Sequence, residues 1–217
     1  MIQEFEKTRE KLIERAKEQG REVGNLEVPE GKTIELSPES DFARKYLVEL
    51  KPENIDEVVE WIGVKDELLE DRPDISFNRV PDRQLIDVSR LRSLHHESRL
   101  TSLSPTANMV RVDDLISSNV VVRQRATGLV RAAMRQYVFG RSNRVAFFRS
   151  AINRYIQLSN LRLVVPIFND VTVSNGGRLQ LSPSTYAFYA RDIRVHGTGR
   201  IDCNGPKTIH CRSFDAS

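Results

Sequence analysis

The sequence predicts an α+β protein in which a helical and irregular N-terminal part and a helical hairpin cap a short C-terminal parallel β-solenoid. Three observations predict it. A twelve-residue phrase occurs twice, 22 residues apart: "DVTVSNGGRLQL" from Asp170 and "DIRVHGTGRIDC" from Asp192. Apolar residues recur at roughly every 3.6 positions between residues 111 and 160, then at every second position from Leu161 onward. Glycines fall at matching places in both phrases, and a Ser-Pro pair follows the first, where short strands must turn.

Residues 3–19 read as a charged, weakly amphipathic helix, marked by Phe5 and Leu12 and free to dock on a partner. Residues 25–40, "NLEVPEGKTIELSPES", read as two short strands around a glycine turn. They also repeat the later phrase: Val28 matches Val173, Gly31 matches Gly176, Leu36 matches Leu181, and Ser37-Pro38 matches Ser182-Pro183. Residues 52–63 read as a helix with Ile55, Val58, Val59 and Ile62 on one face and Gly63 as its stop. Residues 64–110 carry Pro73, Pro81 and Pro105 and read as an irregular linker with at most a short helix.

In the next stretch, Val122, Ala126, Leu129, Ala133 and Tyr137 form one helical stripe, with Val130 and Met134 beside it and Gly140 as the stop. Ser142 is the expected cap of a second helix whose apolar face is Val145, Phe148, Ile152, Tyr155 and Ile156. "LRLVVPIF" then opens the β region, with a break expected at Pro166. Alternation points Val171, Val173, Leu179, Leu181, Ile193, Val195, Ile201 and Cys203 inward, and Ile209 and Cys211 continue the spacing. Three regions follow: 1–110, acidic, with helix, β-arc and linker; 111–160, an Arg-rich hairpin; and 161–217, the repeats.

A 22-residue period fits three short strands per coil, here 171–173, 179–181 and the connecting "TYAFYAR". Coils of that kind stack at a strand spacing of about 4.8 Å. The pattern resembles the right-handed parallel β-helix class in general form. The alternative is an antiparallel β-roll or jelly-roll, since hairpins also carry glycine turns at such spacings. In the solenoid, Asp192 would recur near Asp215. Residues 25–40 have the right shape to stack on a coil end, and 201–211 present the edge that needs covering. The expected assembly edge is therefore Ile201, Cys203, Ile209 and Cys211.

Charge is unevenly spread. Residues 1–80 hold 13 Lys/Arg against 21 Asp/Glu, whereas residues 81–217 hold 20 against 9. Between Leu115 and Asn169 stand nine arginines and no acid. Arginine in place of lysine suits bidentate anionic partners, so Arg123, Arg125, Arg131, Arg135, Arg141 and Arg144 are candidate contacts to nucleic acid or an acidic protein. Neutralisation by the acidic half is the blander expectation.

No metal site or cofactor is expected. His196, Cys203, His210 and Cys211 lie close in sequence, but alternation points the cysteines inward and the histidines outward. His95, His96 and Glu97 could open a zinc motif, yet Leu100 stands where its second histidine belongs. Asp170 and Asp192, with Asp202 nearby, could serve glycoside chemistry. A structural ladder neutralised by Arg178 and Arg200 accounts for the two stacked residues more simply. Nothing resembles a secretion signal or a membrane span, so the expected setting is cytoplasmic. The function expected is a non-enzymatic structural or assembly protein that associates with itself or a protein partner. The alternatives are a nucleic-acid-binding protein using the hairpin and a carbohydrate-acting β-helix.

Overall fold

The computed structural model describes residues 2–64, 112–140, 142–205 and 207–217, without the side chains of Ile2, Asn143, Arg144 and Phe147. The fold is mixed α+β with parallel sheets. It divides into two compact units: residues 1–51 with 162–217, and residues 52–161. The first unit thus joins the N-terminal quarter to the repeats, a grouping that the linear division into three regions did not contain.

In the first unit, α1 (Ile2–Glu18) is followed by β1 (Leu26–Val28), β2 (Thr33–Leu36), α2 (Asp41–Arg44) and β3 (Leu47–Leu50). After the second unit come β4 (Leu163–Val173), β5 (Arg178–Leu181), β6 (Ala187–Val195), β7 (Arg200–Cys203) and β8 (Thr208–Ala216). The repeated phrases pair with one another in parallel, so the antiparallel roll or jelly-roll is not their arrangement. One sheet runs β1-β4-β6-β8 and the other β2-β5-β7.

The register is the sequence alignment itself. Leu26, Val171, Ile193 and Phe214 stand in one column, and Ile34, Leu179 and Ile201 in another. Corner backbone groups continue the ladder: Ser174 N donates to Val28 O, His196 N to Val173 O and Ser217 N to Val195 O, at 3.0, 2.9 and 3.0 Å. These corners need glycine. Gly31 and Gly176 take φ of 65° and 67°, and a Cβ on Gly177 would lie 2.9 Å from Ser174 O.

Several local expectations change. From β6 to β8 the offset is 21 residues, so Asp192 faces Ser213, and Asp215 faces Arg194. β4 runs straight through Pro166; the next amide, Ile167 N, donates to Tyr46 O at 3.1 Å. Residues 26–36 pair with β4 and β5, the side of the stack opposite the expected edge at 201–211. β3, at a stretch where no strand was expected, pairs antiparallel with the first half of β4.

Helix α1 is not a solvated arm. Phe5, Arg9, Leu12 and Ala16 form one stripe, Leu12 and Ala16 are fully buried, and the helix packs against β3 and β8. The Phe5 ring stacks on Tyr189 with centroids 6.3 Å apart. Arg9 donates to Asn169 Oδ1 at 2.6 Å and to Phe168 O at 3.3 Å.

In the second unit, α3 (Ile55–Ile62) is capped by Asn54, whose side chain accepts from Glu57 N at 3.0 Å. α4 (Val120–Val138) is capped by Asn119. Its buried stripe is Ala126, Val130, Ala133 and Tyr137, while Val122 is exposed and Leu129 only half-buried. The expected single second helix is broken into α5 (Ser142–Val145), a 3₁₀ turn and α6 (Arg149–Ser159). Ser142 therefore opens α5 instead of capping one long helix. Val145, Phe148, Ile152, Tyr155 and Ile156 are buried as their spacing required. Asn153 accepts from Ile55 N at 2.9 Å and ties α6 to α3. The linker at 65–111 lies outside the described residues.

Candidate functional site

The strands end differently on their two sides. At the β1/β2 side, Leu26, Val28 and Leu36 are at most 2% exposed. Ala43 and Leu47 join their hydrophobic cluster, with Tyr46 packed against it. Among the described residues, no strand lies beyond β7 or β8. Here Ile209 is 38% and Phe214 55% exposed, although their columns lead inward to the buried Phe188 and Ile193. Cys203 extends the column of Leu181 yet is exposed, so it is not the core residue its spacing suggested. Ile201 and Cys211 are half-buried against the core. The four edge residues named from the sequence thus share one end of the stack, and Phe214 joins them. The 21-residue offset takes Phe214 out of a 22-residue match with Ile193.

A charged ladder runs along the stack. Between Phe168 and Val171, Ala190 and Ile193, and Cys211 and Phe214, two polar residues interrupt the alternation. Asp170 and Asp192 stand side by side there, as their repetition implied. Their partners are Arg191 and Arg212, not Arg178 and Arg200, which lie on the three-stranded sheet. Arg191 Nη2 donates to both oxygens of Asp170 at 2.9 and 2.8 Å, and its Nε to Asp192 at 3.2 Å. Arg212 donates to both oxygens of Asp192 at 3.2 and 2.6 Å, and Ser213 Oγ to Oδ1 at 2.6 Å. The Ser213 hydrogen bond, with Arg212 and Arg191, outweighs burial and holds the Asp192 carboxyl below the usual range. Each carboxylate is fully engaged by cations, which suits a structural role better than proton transfer. Asp202 lies apart from them, paired with Arg200 at 3.3 Å. The polar pair that interrupts each alternation is the sequence signal for this ladder.

The histidines divide. His196 is exposed and meets Ser217 Oγ at 3.1 Å. His210 is not outward in solvent: its ring stacks on Tyr189 at 4.4 Å, and burial pushes its pKa down to about 4. Its stack on Tyr189, whose ring also stacks with Phe5 of α1, is what alternation alone could not foresee. Lys207 donates to Ser182 O at 2.5 Å and to Thr185 O, and burial lowers its pKa. Among the described residues, no group of three His, Cys, Asp or Glu is placed to hold a metal ion. His95, His96 and Glu97 lie outside the described residues.

Of the candidate anion contacts, Arg123, Arg125, Arg131 and Arg135 are exposed along α4. Arg123 donates to Ser117 O at 3.0 Å, and Arg131 Nε to Tyr155 OH at 2.6 Å. Arg141 and the Arg144 side chain lie outside the description. Among the described residues, no helix is long and apolar enough to cross a membrane. Comparison with protein families, curated proteins and solved structures finds no match to this chain.

Proposed function

We propose that the first unit is a short β-solenoid and that the protein is a non-enzymatic assembly component, which associates through the β7/β8 end of that stack. The observation that carries this reading is the contrast between the two ends. Leu36 is fully buried at one, while Phe214 is 55% exposed in an inward column at the other. Unpaired strand edges with apolar residues in register are templates for further pairing, and proteins seldom leave them bare. The engaged carboxylates support a structural ladder over a glycosidase pair.

Light scattering at two protein concentrations tests the reading. The expected result is a mass that rises with concentration and does so less in Phe214→Asp. An unchanged monomer mass in both proteins would remove the proposal. Nucleic-acid binding through α4 is a second reading, favoured by four exposed arginines on a helix without acidic residues. It expects a retained 260 nm signal on purification, lost in Arg123→Gln/Arg135→Gln.

A further inference from the structure

We propose that the β7 edge takes a parallel strand from another polypeptide, with the pattern acidic–apolar–polar–apolar set against Arg200, Ile201, Asp202 and Cys203. This rests on the assembly reading and names the partner's chemistry. The argument is continuity with pairings already made. β5 presents Arg178, Leu179, Gln180 and Leu181 to β7, which lies on it in parallel, residue for residue. β2 presents Thr33, Ile34, Glu35 and Leu36 to β5 in the same way. β7 repeats the pattern of β5 once more, with its own far edge unpaired among the described residues.

The columns define what fits. Ile201 and Cys203 extend Leu179 and Leu181 of the core, so residues opposite them must be apolar. Arg178 and Arg200 already stand together in one column, and a third cation there would be repelled; a carboxylate would be attracted. In a second copy β5 is paired on both sides, and the free edge of β2 offers Thr33, Ile34, Glu35 and Leu36, which lacks a carboxylate opposite Arg200 and would set Glu35 against Asp202. Strand addition to a sheet edge gives affinity through the main chain and specificity through alternate side chains.

The test uses a fluorescently labelled synthetic peptide of residues 175–184 carrying Arg178→Glu, titrated with the full chain and read by anisotropy. Saturable binding is expected. Cys203→Asp in the protein should weaken it at least tenfold. The peptide with Arg178 retained should bind several-fold more weakly at low salt. Glu27→Lys, at the opposite end, should change nothing. Absence of saturable binding, or equal binding by Cys203→Asp, would overturn the inference. The two proposals separate cleanly. If the chain self-associates but ignores the peptide, this inference falls and assembly stands. If the peptide binds a chain that stays monomeric, self-assembly falls and the strand site stands.

Discussion

The two ends of the strand stack are built from the same phrase but differ in what lies against them. At the β1/β2 end, "LEVPEGKTIEL" is followed directly by α2 and β3, whose Ala43 and Leu47 join the core with Leu26, Val28 and Leu36. At the β7/β8 end, the equivalent columns finish in Ile201, Cys203, Ile209 and Phe214 with no described strand beyond them. Identical alternation therefore yields a closed core in one place and an exposed apolar row in the other. Alternation says which way a side chain points. It does not say whether anything stands there to receive it.

The largest expected effect breaks the comparison directly. Leu179→Asp buries an unpaired charge in the middle of the stack and should cost several kcal/mol, on the order of 4 or more, in urea titration. Phe214→Asp, in the equivalent inward set at the bare end, should cost less than about 1 kcal/mol. Equal losses would mean the bare end is covered in solution.

Next in size is the ladder. Asp192→Ala leaves Arg212 without a carboxylate and Arg191 with Asp170 alone, and should cost about 2–3 kcal/mol. Because the Asp192 carboxyl is held below its ordinary range, its contribution is present above about pH 4 and is lost as pH falls through the folded value. The variant should therefore show a flatter loss of stability in acid.

His210 supplies a smaller and distinct pH effect. With a folded pKa of about 4 against an ordinary 6.5, the unfolded chain binds the extra proton between those values. Its contribution to stability is full above about pH 6.5 and falls away as pH drops towards 4. His210→Phe, which keeps the stack on Tyr189, should remove that slope from a set of melting curves. The smallest expected effect is Arg131→Gln, which loses one hydrogen bond to Tyr155 and should shift stability by about 1 kcal/mol or less.

The β architecture was legible where the chain repeats itself. Matching Val28 to Val173 and Val195, and Leu36 to Leu181, is the observed register, because equal spacing around equal corners places equal residues in one column. The ladder's carboxylates were visible for the same reason, but their cations were not. Arg191 and Arg212 are 21 residues apart, and a search at 22 passes over them. The stripe of Phe5, Arg9, Leu12 and Ala16 does not read as apolar in the sequence, since Arg9 can be buried only where Asn169 and a backbone carbonyl receive it.

By itself, then, the sequence determined the periodic features: strand alternation, glycine corners, the column partners of each phrase and the apolar face of α6. These follow from steric rules that act within a few residues or repeat at a fixed interval. Only the tertiary structure decided that α1 packs against β3 and β8, that β3 joins β4, and that His210 is half-buried against Tyr189 while Cys203 is exposed. Each of those depends on whether a segment distant in sequence occupies the space beside a side chain. Burial is a property of that occupancy, and no local pattern carries it.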